Sequence, residues 1–203
     1  MLATGFAARP ATSAGAGVRR RILVVGDSLS SEYGLPRGSG WVALLERRIV
    51  QDRPGWEVVN ASVSGDTTSG GRSRLPALLR QHQPSVLVIE LGGNDALRGL
   101  PLQMTRENLL EMTRSAKAAG ARVLIAGMQV PPNYGRQYAQ DFQALFAEVA
   151  KAERTALVPF LLAGVADVPE AESLFQADRI HPAAAAHPRM LDNVWPVLRP
   201  LLR

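Results

Sequence analysis

Five short apolar runs, at residues 22–25, 58–61, 86–91, 123–128 and 157–161, recur along the chain with helix-length segments between them. Each is rich in Val, Ile and Leu on both faces, unlike a strand that leaves one face in water. Each is therefore expected to be a strand buried on both sides of a parallel sheet. The intervening segments carry a helical period. Trp41, Leu44, Leu45 and Ile49 fall on one face, as do Leu75, Leu78, Leu79 and His82. Tyr138, Phe142, Leu145, Phe146 and Val149 form the clearest stripe. Gly120, after Lys117, Ala118 and Ala119, is placed to end a helix before the fourth strand. Strands alternating with helices imply an α/β fold, a three-layer α/β/α sandwich around a five-stranded parallel sheet with right-handed crossovers. A length of 203 residues suits a single domain, and no repeat, linker or shift in composition divides it. Residues 1–20 are expected to form a flexible tail and residues 21–203 the folded domain.

Charge narrows the classes of partner. The formal net charge is +5, but four of the 23 basic residues (Arg9, Arg19, Arg20 and Arg21) lie in the first 21 residues with no acid among them. The remainder carries 19 basic against 18 acidic residues and is nearly neutral, so a nucleic-acid face is not expected. No apolar stretch approaches the roughly 18–20 residues of a membrane span, and no stable membrane insertion is expected. The tail lacks the charged start and apolar core of an intact signal peptide. With no cysteine, the chain has no disulfide, no thiol nucleophile and no thiolate ligand for zinc.

In a sheet of this kind the ligand lies beyond the carboxyl ends of the strands, where strand order reverses. The segments leaving the first three strands are GDSLS (26–30), NASVSGDT (60–67) and GGND (92–95), and DRIHP (178–182) follows the fifth. Singly, each has an ordinary structural reading. Ser28 and the glycines suit turns, Asn94 and Asp95 suit a helix N-cap, and Asp178 with His181 suits a local ion pair. Together they bring to one sheet edge the groups that ester hydrolysis needs: a nucleophile, a base and donors for a developing oxyanion. Ser28 is the candidate nucleophile and His181 the base. Asp178, three residues before His181, is placed to fix the tautomer that turns the other ring nitrogen toward Ser28. The backbone N–H groups of Ser28 and Gly65 and the side-chain amide of Asn94 are the candidate oxyanion donors. Residue 30 is Ser, so the G-x-S-x-G elbow of the α/β-hydrolases is absent. Asp27 and Asp66 are expected to brace their loops, His82 to cover a helix end, and His187 to lie on the surface before the final helix.

The four ordered blocks, GDSLS, NASVSGD, GGND and DRIHP, resemble those of the SGNH hydrolases, also called GDSL esterases. The resemblance runs from about residue 21 to the C-terminus and includes RLPALLRQHQP, ELGGND and PPNYGR. It is closest to the bacterial group of multifunctional acyl-CoA thioesterases, lysophospholipases and arylesterases. It implies a flavodoxin-like sheet and a cofactor-free serine esterase. The implied substrates are small esters and thioesters with short to medium acyl chains, aryl esters and lysophospholipids. It also favours a periplasmic or secreted monomer. Leu97, Leu100, Pro101, Met128, Pro131 and Tyr134, on the segments after the third and fourth strands, are apolar enough to line an acyl chain, with 97–101 expected to move over it. Two other readings are weaker. A metal-dependent phosphoesterase usually needs several His, and only three exist here. A noncatalytic binding domain on the same scaffold would leave a complete set of catalytic groups idle.

Overall fold

A computed structural model describes residues 20–203. The tail expected at residues 1–20 thus lies, apart from Arg20, outside the described residues. The strands are β1 (Arg20–Gly26), β2 (Trp56–Asn60), β3 (Val86–Glu90), β4 (Arg122–Ala126) and β5 (Ala156–Val158). The helices are α1 (Trp41–Asp52), α2 (Thr68–His82), α3 (Gly93–Leu97), α4 (Leu102–Ala118), α5 (Arg136–Glu153) and α6 (His187–Leu198). All strand pairs are parallel, in the order β2-β1-β3-β4-β5. The chain moves one way from β1 to β2 and the other way thereafter. Right-handed crossovers then place α1 on one face and α2, α4 and α5 on the other. Packing agrees: α1 lies against α6, while α2, α4 and α5 pack side by side.

Burial follows position in the sheet. β3 is buried at every residue, as a central strand covered by helices on both faces should be. β2, at the edge, is only half-buried over most of its length. The fifth strand is shorter than the apolar run 157–161 suggests. Pro159 cannot donate to the ladder, and the chain leaves the sheet there, with Leu161 and Leu162 buried from the following turns. The predicted helix stripes point inward: Trp41, Leu45 and Ile49 of α1, and Phe142, Leu145, Phe146 and Val149 of α5, are all in the core. Gly120 has φ +86 just past the end of α4. Among the described residues no helix is long and apolar enough to cross a membrane.

Strand order reverses between β1 and β3, so the carboxyl ends of β1, β2 and β3 form the switch point where this class of sheet binds ligands. GDSLS, NASVSGDT and GGND all leave the sheet there.

Candidate active site

The turn that carries Ser28 is held from below. Asp27 accepts Ser30 N and Ser31 N at its carbonyl (3.2 and 3.0 Å) and Leu29 N at its carboxylate (3.0 Å). Beneath it Glu90, the last residue of β3, accepts Ser30 Oγ (2.7 Å) and Asp27 N (3.3 Å). Trp41 Nε1 donates to the same Ser30 hydroxyl at 3.2 Å. Burial pushes the Asp27 carboxyl up from 3.8 to about 6, opposed by hydrogen bonds from Leu29 N and Asn94. Glu90 is fully buried, and burial, reinforced by the charge of Asp27, holds it well above the usual carboxylate range. Two close carboxyls buried together do not both ionise readily. Ser28 itself is half-buried at the mouth of this arrangement.

The candidate base, His181, comes from a loop between β5 and α6. Asp178 Oδ1 accepts the N–H groups of Ile180 (2.9 Å) and His181 (3.0 Å), which folds the loop on itself. Oδ2 of Asp178 lies 2.6 Å from His181 Nδ1, and His181 Nε2 lies 2.9 Å from Ser28 Oγ. With Nδ1–H donating to the carboxylate, Nε2 is left to accept the Ser28 proton. The bonds from the His181 backbone and ring and from Ile180 N hold the Asp178 carboxyl down at about 2, so it is ionised across the physiological range.

Asn94 lies in the first turn of α3 and does not cap it. Gly92, at φ +121, occupies the N-cap. The Asn94 amide instead spans two segments, donating from Nδ2 to Asp27 Oδ2 (2.9 Å) and to the Asp66 carbonyl (3.0 Å). Asp95 is fully buried and also does not cap. Its carboxylate accepts Thr68 N (2.8 Å), Thr68 Oγ1 and Thr105 Oγ1 (3.2 Å), tying α3 to the starts of α2 and α4. Gly65 adopts φ +77, a conformation that favours glycine, and directly precedes Asp66, whose carbonyl accepts Asn94 Nδ2. Its carbonyl accepts Arg98 Nη2 at 2.7 Å. Asp66 accepts Arg74 Nε at 2.8 Å. Asp27 and Asp66 therefore both brace their loops, as expected. Among the hydrogen bonds of the described residues, neither Ser28 N nor Gly65 N donates to a protein acceptor.

The expected acyl-lining residues divide. Leu97 is 48% exposed, Pro101 and Pro131 are exposed, and Leu100 and Tyr134 are half-buried, Tyr134 against Tyr138. Met128 does not share that surface: it is 6% exposed and packs in the core. An apolar residue two positions past a strand reads equally well as lining or as core, and here the core claims it. His187 is a second correction. It is 2% exposed, and its Nδ1 accepts the backbone N–H of Trp41 at 3.0 Å. Glu90, Ser30 and Trp41 were not expected at the site. The available signal was Glu90 itself, a carboxylate ending the apolar strand VLVIE.

Residues 24–189 match the GDSL-like lipase/acylhydrolase family. The chain is 53% identical over 181 residues to esterase TesA of Pseudomonas aeruginosa, a match that covers 89% of each protein. It is 40% identical over 185 residues to thioesterase 1/protease 1/lysophospholipase L1 of Escherichia coli strain K12, covering 89% of this chain and 84% of that protein. To the arylesterase of Vibrio mimicus it is 39% identical over 182 residues, covering 90% of each. The crystal structure of TesA superimposes with a TM-score of 0.86 at 52% identity, covering 90% of this chain and 99% of that one. The psychrotrophic esterase EstA from Pseudoalteromonas sp. gives 0.83 at 34% identity, covering 90% and 98%.

Proposed function

The chain belongs to the GDSL-like lipase/acylhydrolase family and is an ester hydrolase, and on that premise we propose that it cleaves carboxylic esters and thioesters through an acyl-enzyme on Ser28. The observation that carries this reading is the unbroken line from Asp178 through His181 to Ser28, with separations of 2.6 and 2.9 Å. Ser28 Oγ attacks the acyl carbon while His181 Nε2 takes its proton. Asp178, its ionised carboxylate held against His181 Nδ1, stabilises the imidazolium that forms. The carbonyl oxygen becomes negative and is received by the N–H groups of Ser28 and Gly65 and by Asn94 Nδ2. Both Nδ2 hydrogens of Asn94 already have acceptors, so receiving an oxyanion means exchanging the Asp66 carbonyl for the substrate oxygen while Asp27 keeps the amide oriented. His181 then returns the proton to the leaving alkoxide or thiolate. A water activated by His181 completes hydrolysis of the acyl-enzyme in the same geometry.

The exposed and half-exposed apolar side chains of Leu97, Leu100, Pro101, Pro131 and Tyr134 support an acyl chain lying across the segments after β3 and β4. Relatives named as a thioesterase/lysophospholipase and as an arylesterase support short to medium acyl groups with varied leaving groups. Every proposed catalytic group comes from one chain, which supports a monomeric enzyme. The deciding experiment is hydrolysis of p-nitrophenyl butyrate by wild type and Ser28→Ala, with and without EDTA, over a range of enzyme concentrations. Turnover that resists EDTA, is linear in enzyme and vanishes in Ser28→Ala is expected. Loss of activity in EDTA would sink the serine mechanism, and curvature with enzyme concentration would sink the monomer.

A further inference from the structure

The base sits on an exposed loop yet is itself well covered. Residues 177–180 are exposed and the Asp178 side chain is 38% exposed, but the His181 side chain is only 17% exposed. Tyr33 lies over it. The phenol ring lies against the imidazole with centroids 4.4 Å apart and planes inclined by 39°. Tyr33 is otherwise half in solvent and takes no part in the core cluster.

The backbone beneath Tyr33 is built to hold it there. Gln176 Nε2 donates to the Tyr33 carbonyl (2.9 Å) and to the Pro182 carbonyl (3.1 Å), and Gln176 N donates to the His181 carbonyl (2.8 Å). One residue thus ties the turn after Ser28 to both sides of the His181 peptide. Gly34 follows at φ +69, and a Cβ there would collide with Gln176 Oε1, so the turn is shaped around the amide that clamps it. Glu32 precedes at φ +63, its carboxylate accepting Gly38 N and Gly40 N. Non-glycine residues adopt such a backbone only when surrounding contacts enforce it.

We propose that Tyr33, clamped by Gln176, is a positioning residue that holds the His181 ring in line between Asp178 and Ser28. The proposal rests on the assignment of those three residues given above. A histidine tethered at Nδ1 to an exposed carboxylate can still swing about its side-chain bonds, and a misplacement of about 1 Å costs on the order of 100-fold in rate. A ring packed on the imidazole face removes that freedom and keeps water from competing for the Nδ1–H bond. It also offers a π face to the imidazolium formed as Ser28 reacts. Tyr33 acts through His181, so its effect belongs to turnover and not to substrate binding.

The test compares Tyr33→Phe, Tyr33→Ala and Gln176→Ala with wild type on p-nitrophenyl acetate and p-nitrophenyl decanoate, with Ser28→Ala and His181→Ala as controls. Tyr33→Ala is expected to lower kcat by about 10- to 100-fold on both esters with KM within about twofold. Tyr33→Phe, which keeps the ring, should restore kcat to within about twofold of wild type, and Gln176→Ala should fall between them. The downfield proton resonance of the His181 Nδ1–H bonded to Asp178 should persist in Tyr33→Phe and be lost in Tyr33→Ala. A rise in KM at unchanged kcat, or a loss confined to the decanoate, would make Tyr33 a substrate wall and overturn the proposal. Inactive Ser28→Ala and His181→Ala beside an unimpaired Tyr33→Ala would overturn it alone. Full activity in those two controls would defeat the assignment beneath it, and the proposal with it.

Discussion

Asn94 shows how far a side chain can depart from its ordinary structural reading. Its type suggested a helix cap, yet the cap belongs to Gly92 and the amide bridges Asp27 and Asp66 instead. Asn94 is only half-buried, and its amide takes no part in the apolar core. Asn94→Ala is therefore expected to unfold at close to the wild-type temperature while losing about 100- to 1,000-fold in kcat on p-nitrophenyl butyrate. Wild-type turnover in a folded Asn94→Ala would remove it from the oxyanion site. The meeting of Ser28, Asp178 and His181 was legible because each sits in a block whose order and spacing are unusual. Tyr33 and Gln176 were not, because an aromatic in a Gly- and Pro-bearing turn and a lone Gln in a loop have no periodicity. Their contact spans 143 residues of chain. Met128 was misread for the reverse reason, since apolar character alone does not separate a pocket wall from the core.

At the scale of the element, the strands were found within a few residues because burial between two helical layers forces an apolar run. The errors fall where tertiary contacts override local pattern. Leu161 is buried as β5 would be, but from a turn beyond Pro159. His187 follows an Ala run and reads as exposed, but α6 starts directly against the start of α1. The N-cap of α1 is Gly40, which has no side chain with which to cap, and its Cβ position is taken by Glu32 Cγ. The first N–H of α1 therefore goes to His187 Nδ1, 146 residues away. Losing a cap costs roughly 0.5–2 kcal/mol, and stranding a buried donor roughly 1–3. His187→Ala is accordingly expected to unfold about 1–3 kcal/mol more easily in urea at neutral pH, whereas His187→Asn, whose Oδ1 can stand where Nδ1 does, recovers most of that loss. An unchanged midpoint in His187→Ala would mean that the cap is dispensable.

Across the whole molecule, His187, Trp41, Ser30, Glu90 and Asp27 form one connected path beneath the serine, from the α1–α6 contact to the sheet edge. Its titratable members respond to acid in opposite senses. Asp27, raised from 3.8 to about 6 by burial, binds a proton more readily folded than unfolded, and Glu90 shifts the same way. Their ionisation opposes folding at neutral pH, by up to about 3 kcal/mol for Asp27, and that opposition is relieved as pH falls through about 6. His187 is held below its ordinary 6.5 by burial, against the pull of the Pro182 carbonyl and Glu32. The unfolded chain protonates it first, so its contribution is complete above about 6.5 and is lost as pH falls below that value. Asp178, held down at about 2, contributes nothing to the change until the medium is far more acid. Between about pH 7 and about pH 5 the carboxyl and imidazole contributions therefore run in opposite directions in wild type. Replacing His187 by Asn removes one side of the balance while keeping the acceptor for Trp41 N. The His187→Asn protein is expected to gain stability on acidification across that window, by on the order of 1–3 kcal/mol in denaturant titrations, while wild type gains markedly less. Parallel responses in the two proteins would mean that His187 is not buried in its neutral form, and that the path under Ser28 does not couple to pH through it.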